Sequence, residues 1–405
     1  MSKLTSFFED YIKKDPIFIN KKALQSNYHP NEVLYREKQI KQIASILAPS
    51  LRMEKPSNVF IFGKTGSGKT LTIKHVCDNM NDVAKKNKIN LKIIYLNCKL
   101  KRIADTEYRL IAQLAREFGK EIPATGLPTD EVYKLFINEL DEKKLLLVII
   151  LDEIDQLVEK IGDSVLYNLT RLNTELKNSE VSLIGISNDL VFTDNLDPRV
   201  KSSLSEEELV FPPYNAIQLQ KILQQRGKIA FRNNSIKEGV IEKCAAYAAR
   251  EHGDARRALE LLRVAGELAE RENKNFIEIE DIDAAEGKIE HDRILDVVST
   301  QPKQSKITLY SLLYVKNNSS KPVFTGDIYD SYKEYCFKCG VRPLTQRRVS
   351  DIIAELDMLG IVNARVISKG RYGRTREIKL AIPSSTVPGL MQVLKDGLGL
   401  WLKMK

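Results

Sequence analysis

The segment Gly63-Lys64-Thr65-Gly66-Ser67-Gly68-Lys69-Thr70 constrains what this chain can fold into more than any other. It fits the pattern G-x-x-x-x-G-K-[ST], directly after the apolar run 58–62 and directly before a stretch with helical spacing. In that setting the glycines let successive backbone N–H groups curl around phosphate oxygens, and the positive end of the following helix adds to their pull. Lys69 would reach the β and γ oxygens of ATP or ADP, and Thr70 would ligate Mg²⁺. A glycine-rich turn without a ligand needs neither the strand before it nor the helix after it. The expectation is therefore an α/β fold with a nucleotide site at residues 63–70.

Short apolar runs at 59–62, 93–96, 145–151, 181–187 and 209–211 alternate with amphipathic stretches, as strands of a buried parallel sheet do. The third run ends in Asp152-Glu153, which places two carboxylates at the edge where parallel sheets bind ligands. Asp152 would hold Mg²⁺, and Glu153 would orient or deprotonate the attacking water. The fourth run ends at Asn188, whose amide could bind the γ-phosphate or the lytic water. Asp155 extends the acidic cluster without an assigned role.

After Pro212-Pro213 the pattern changes to apolar positions three and four apart, with many alanines and no clear strand. The polar stretch 300–306 reads as a linker. Beyond it, helices are expected at 307–315, 325–335 and 345–359, then a β-hairpin from 361 to 382 with Gly370 and Gly373 in its turn, and a closing helix from 387. Three helices and a hairpin is the order of a winged helix. The organisation expected is an α/β nucleotide-binding domain over 1–211, an all-helical domain over 212–298 and a winged-helix domain over 299–405.

In the helix at 345–359, Val349, Ile352, Ile353, Leu356 and Leu359 share one face, so Arg347 points away from it and Arg348 flanks it. An arginine at the exposed start of such a helix suits a DNA major groove. The hairpin tip carries Lys369, Arg371, Tyr372 and Arg374, with Arg376 close behind, and suits a minor groove or a phosphate ridge. The chain has 63 Lys+Arg against 54 Asp+Glu, a net +9 over 405 residues. Such a surplus fits a polyanionic partner, here double-stranded DNA.

Hydrophobic residues make up 43% of the chain, enough for real cores in the two to three domains that its length suggests. No apolar run approaches the ~20 residues of a membrane span, and the charged N-terminus lacks a secretory signal, so a cytoplasmic protein with no membrane partner is expected. The five cysteines are too scattered for a disulfide framework, and Cys336/Cys339 lack the further ligands of a structural zinc site.

The combination GKTGSGKT, LDEID (151–155), GISND (185–189), LDPRVKSSL (196–204), FPPY (211–214) and GDARRALELLR (253–263), followed by a winged helix, resembles the archaeal Orc1/Cdc6 replication initiators, which are AAA+ ATPases. The resemblance spans roughly residues 10–385. It implies that the helical domain is a lid and that Asn188 is the sensor 1 residue. Arg199 would be the arginine offered to a neighbouring subunit's nucleotide, although a helix-capping surface arginine would look the same. Arg256 would be sensor 2, with Arg257 beside it as the other candidate. Tyr214 and Arg226 would contact the nucleotide from the hinge, and residues 28–30 and 33–36 would cover the adenine. Lys101, Arg102 and Arg109 fall where an extra helix touches DNA in these initiators.

The function implied is a slow ATPase that binds origin DNA together with other copies or paralogues, associates with the nucleoid and recruits the replicative helicase. A nucleotide-gated winged-helix transcription regulator would share a P-loop and a winged helix, but GDARRAL and FPPY weigh against it. A DNA-bending protein locked with ADP is a further class. It predicts no effect of Glu153→Gln on helicase recruitment.

Overall fold

The computed structural model describes residues 8, 15–100, 105–123, 126–204, 206–318, 322–368 and 374–400. They form two compact units, Met1–Ile282 and Asp283–Lys405.

In the first unit, five strands make a parallel sheet: β1 (Val59–Phe62), β2 (Leu91–Asn97), β3 (Leu146–Asp152), β4 (Glu180–Ser187) and β5 (Glu207–Val210). Their order is β2-β3-β4-β1-β5. Every residue of the central β3 is buried. Helices cover both sheet faces, which is why these strands read as continuous apolar runs and not as alternating ones. On one face, α1 (Glu37–Leu47) and α2 (Lys69–Asn87) bring Ile43, Leu47, Ile73 and Val76 against Ile61, Val148 and Ile150. On the other, α3 (Glu107–Arg116), α4 (Thr129–Glu142), α5 (Ile154–Ile161) and α6 (Ser164–Arg171) bring Leu114, Phe136, Leu157 and Leu166 against Leu147, Ile149 and Leu151. The short α7 (Pro198–Leu204) leads into β5.

Register sets the site. Phe62 pairs with Ser187, and Asp152 with both Asn97 and Ile186, so four strands end together. The phosphate loop and the acidic pair leave the sheet at that shared edge, as expected for a parallel α/β fold.

The same unit carries three helices without strands: α8 (Ala216–Ala230), α9 (Val240–Arg250) and α10 (Ala255–Arg271). Asn215 opens α8 with a reciprocal cap, its Oδ1 accepting from Gln218 N at 2.9 Å and its own N–H donating to Gln218 Oε1 at 3.1 Å. Asp254 opens α10 by accepting from Arg256 N at 2.7 Å.

The second unit is a winged helix. After α11 (Ile279–Ser299) come α12 (Lys303–Asn318), β6 (Val323–Phe324), α13 (Thr325–Lys338), α14 (Gln346–Met358), β7 (Val362–Ser368), β8 (Arg374–Leu380) and α15 (Val387–Leu398). β6, β8 and β7 pair antiparallel. The stretch 300–306 is not a linker through most of its length, because α12 already begins at Lys303. Pro302 has no N–H to give a preceding turn, so it breaks two helices rather than opening a loop. Leu359 also departs from expectation. It lies just past the last turn of α14 and is 43% exposed, while Val349, Ile352, Ile353 and Leu356 are buried in the unit's core. Among the described residues, no helix is long and apolar enough to cross a membrane.

Candidate functional site

The loop between β1 and α2 is held by conformations that only glycine adopts cheaply. Gly66 and Gly68 have φ of +68° and +87°. A Cβ on Gly66 would lie 1.7 Å from Asp254 Oδ1, and one on Gly68 2.6 Å from the Tyr214 hydroxyl. The loop is therefore packed against the lid as well as against the sheet.

Lys69, the first residue of α2, turns its ammonium back into this loop. Nζ donates to Gly63 O at 2.6 Å, to Lys64 O at 2.9 Å and to Asn188 Oδ1 at 2.9 Å. The structure thus joins the lysine to the amide at the end of β4. Burial, with a smaller contribution from Arg256, lowers the Lys69 pKa to about 8 against opposing pulls from Asp152, Asp155 and Asp254.

Asp152 is buried at the end of β3, with both oxygens engaged. Oδ2 accepts from Thr70 Oγ1 at 2.8 Å and from the Tyr95 hydroxyl at 2.5 Å, and Oδ1 accepts from Glu153 N at 3.0 Å. Burial and the neighbouring carboxylate push the Tyr95 phenol well above its ordinary pKa, so it stays a hydrogen-bond donor. Glu153 sits in the left-handed region at φ +57°, with Lys99 Nζ 3.9 Å from its Oε2. Asp155 now has a structural part, since its Oδ1 accepts from Ser187 Oγ at 2.8 Å and braces α5 against the end of β4.

One pocket gathers Gly66, Gly68, Lys69, Thr70, Asp152, Glu153, Asn188, Tyr214, Arg226 and Arg256. Its other wall is the segment from Ser26 to Leu34, and Val33, Ile222 and Leu259 give it an apolar end. Arg226 is buried there, its guanidinium 4.3 Å from the centre of the Tyr28 ring and its Nη2 donating to Tyr28 O at 3.4 Å. Its Nη1 is buried with no partner among the described residues, and burial lowers its pKa. The two candidates for the lid arginine separate, because Arg256 lines the pocket while Arg257 Nε bonds Glu251 at 3.1 Å.

Gly63, Lys64, Thr65 and Ser67 do not line the pocket. Lys64 and Thr65 expose their side chains, and Gly63, Lys64 and Ser67 contribute carbonyls that Lys69 and Arg36 bind. Arg199 lies off the pocket. It is exposed, forked onto Asp197 at 3.0 and 2.9 Å, and 5.2 Å from the centre of the Tyr167 ring. That fork holds the Asp197 carboxyl down at about 2.

In the winged helix, Arg347 and Arg348 are exposed on the first turn of α14, with Arg348 3.5 Å from Asp351. Arg376, on β8, donates from Nη1 to Ser350 O at 2.9 Å and ties the wing to that helix. Lys369, Arg371, Tyr372 and the side chain of Arg374 lie outside the described residues, as do Lys101 and Arg102. Arg109 pairs with Asp105 at 3.2 Å.

Three family models match successive parts of the chain. They are an AAA domain over residues 52–192, the Cdc6 AAA+ ATPase-type lid domain over 220–287 and the CDC6 C-terminal winged helix domain over 296–388. The ORC1-type DNA replication protein of Thermococcus onnurineus is 52% identical over 383 residues, which cover 94% of this chain and 92% of that protein. The chain belongs to the Orc1/Cdc6 family. The ORC1-type protein of Pyrococcus furiosus matches at 51% identity, covering 96% of this chain and 93% of the relative. Among solved structures, the Aeropyrum pernix ORC1 protein in complex with DNA aligns with a TM-score of 0.81 and 43% identity, over 96% of this chain and all of that one. As an Orc1/Cdc6 protein the chain has the AAA+ architecture that binds ATP or ADP and supports its hydrolysis.

Sequence reasoning overlooked Tyr95, which reaches Asp152 from the neighbouring strand and lies in no contiguous motif. Of the segment expected over the adenine, residues 28–30, 33 and 34 line the pocket, whereas Tyr35 and Arg36 do not, and Arg36 bonds the phosphate loop at Ser67 O instead.

Proposed function

We propose that this protein is a DNA replication initiator that binds double-stranded origin DNA and uses ATP as the switch permitting recruitment of the replicative helicase. The observation that carries the reading is the convergence of Lys69, Thr70, Asp152, Asn188 and Arg256 on one pocket. The pocket suits a nucleotide, being polar along the glycine loop and apolar near Leu259. Thr70 Oγ1 and Asp152 Oδ2, 2.8 Å apart, are hard oxygen donors of the kind that hold Mg²⁺. Mg²⁺ held there would offset negative charge on the nucleotide's phosphates.

The remaining work falls to the chain's own groups. The ammonium of Lys69 exchanges its carbonyl partners for phosphate oxygens. Glu153 takes a proton from the attacking water, and Asn188 orients that water or the γ-phosphate. Arg256, carried on the lid, reports the γ-phosphate to the hinge. Arg199 serves the nucleotide of another copy or paralogue on the DNA, which makes a single copy a slow ATPase.

On DNA, Arg347 and Arg348 would enter the major groove while the wing, with Lys369, Arg371, Tyr372, Arg374 and Arg376, follows a minor groove or a phosphate ridge. That the 43% identical Aeropyrum pernix ORC1 protein was solved in complex with DNA supports DNA as the partner. The protein would act in the cytoplasm, on the nucleoid.

Genome-wide footprinting in the source cells tests the reading. Occupancy at one or a few loci is the expected result. Occupancy spread over many promoters would replace the initiator with a nucleotide-gated transcription regulator.

A further inference from the structure

Arg36 is the most deeply buried charged side chain among the described residues, at 2% exposure, and no described carboxylate lies within ion-pair distance of it. Burial lowers its pKa, so the fold bears a cost to keep a cation there. The guanidinium is satisfied by carbonyls from separate segments. Nε donates to Ser67 O at 2.9 Å, Nη2 to Pro212 O at 2.6 Å and Nη1 to Tyr35 O at 3.0 Å. Its Cζ lies over the Tyr214 ring, 3.9 Å from the centre, and 5.6 Å from the centre of the Phe211 ring. The residue delivering it, Tyr35, is held at φ +59°, a left-handed conformation that persists in a bulky residue only where the surroundings enforce it.

Two of these partners matter chemically. The Ser67 carbonyl belongs to the same peptide unit as the Gly68 N–H, and Gly68 lines the pocket. A cation on that oxygen polarises the peptide and makes the Gly68 N–H a stronger donor toward phosphate. The Pro212 carbonyl belongs to a peptide with no N–H, because Pro213 follows, so the guanidinium holds that hinge peptide by its only polar handle.

From the hinge the connection continues to the lid. Tyr214 N donates to Gly253 O at 3.3 Å, and Ala255 N donates to Gly66 O at 3.3 Å, immediately before Arg256.

We propose that Arg36 is a positioning residue that joins the phosphate loop to the lid hinge, so that phosphate capture at Gly68 and placement of Arg256 over the γ-phosphate occur as one step. The proposal rests on the nucleotide-site reading above.

The test is a double-mutant cycle on the full-length chain, read as the affinity for a fluorescent ATP analogue. Arg36→Lys keeps a cation but loses the planar fork that spans two carbonyls and lies on Tyr214. Arg256→Ala should weaken binding about tenfold in the parent and less than about twofold beside Arg36→Lys, because coupled residues show non-additive effects and independent ones add. The same loss from Arg256→Ala in both backgrounds would overturn the proposal, since a residue that merely stabilised the fold would leave the lid arginine its full effect. Should Arg36→Lys fail to unfold cooperatively, Arg36→Gln, which removes the buried charge, takes its place in the cycle. Lys69→Ala in the same titration separates the two readings. Unchanged affinity there rejects the nucleotide site itself, whereas a normal loss beside additive Arg36 and Arg256 effects rejects only the part assigned to Arg36.

Discussion

At Lys69 the ammonium has an ordinary pKa of 10.5 when exposed and about 8 in its buried place. Phosphate oxygens arriving beside it favour the charged form. Above pH 8, until the bound lysine itself titrates, nucleotide binding must therefore take up a proton, and affinity should fall by as much as about tenfold per pH unit there. Without nucleotide the sign reverses for stability. Between pH 8 and 10.5 the unfolded chain holds a proton that the folded chain has released, so this group adds stability as pH rises through that window. Calorimetric titration in buffers of different ionisation heat should show net proton uptake at pH 9, and heats independent of buffer at pH 9 would refute the linkage. Gly66→Ala puts a methyl group 1.7 Å from Asp254 Oδ1 and 2.9 Å from Asp254 Cα. Losing that helix cap costs about 1 kcal/mol, and a left-handed alanine costs about 1–2 more. The urea midpoint should drop accordingly, with nucleotide affinity falling alongside. What sequence reveals at this scale follows from contiguity: residues 63–70 and Asp152-Glu153 are legible because their chemistry is written in adjacent positions. Tyr95 and the contacts that Arg36 makes are not, because the partners stand 31, 57 and 176 residues away and only folding brings them together.

Helix α14 illustrates how far periodicity reaches for an element. Its buried face follows the apolar spacing until Leu359, where the helix has ended and a 100° step no longer applies. β6, at two residues, is too short for any alternation to register, and it is recruited by pairing with Ile378 and Glu377. The helix nonetheless presents Arg347 outward as the spacing required. Replacing Arg347 with alanine should cost about 1–3 kcal/mol of DNA binding if it reads a base edge, or flatten the salt dependence by about one counterion if it meets phosphate. Arg348→Ala should do less, because Asp351 already balances its charge at 3.5 Å. Arg376→Ala removes the bond to Ser350 O and should loosen the wing, lowering DNA affinity while nucleotide affinity stays the same. Filter binding across a salt series, run beside nucleotide titration, checks all three. Unchanged DNA affinity in all three variants would remove the winged helix from the DNA interface.

For the molecule as a whole, the +9 surplus is unevenly placed. Residues 342–376 hold eight Lys+Arg and three Asp+Glu, more than half of the total excess. The rest of the chain is close to balanced and contains the AAA+ domain, so the positive surplus and the nucleotide pocket belong to different segments. Hydrolysis can then depend on assembly in a testable way. Arg199 lies off the pocket of its own chain, exposed and paired with Asp197, while Glu153 lines that pocket. If Arg199 completes the site of another copy, Arg199→Ala and Glu153→Gln should each abolish turnover alone for different reasons. One chain retains the carboxylate and the other retains the arginine, so mixing the two on DNA should restore part of the rate. The recovery could be large, because an arginine supplied in this way contributes about 10³–10⁵ in rate. It should rise with the fraction of mixed neighbours and vanish on dilution. Wild-type turnover by Arg199→Ala alone, or a mixture no faster than its components, would show that each chain hydrolyses ATP without its neighbour's arginine.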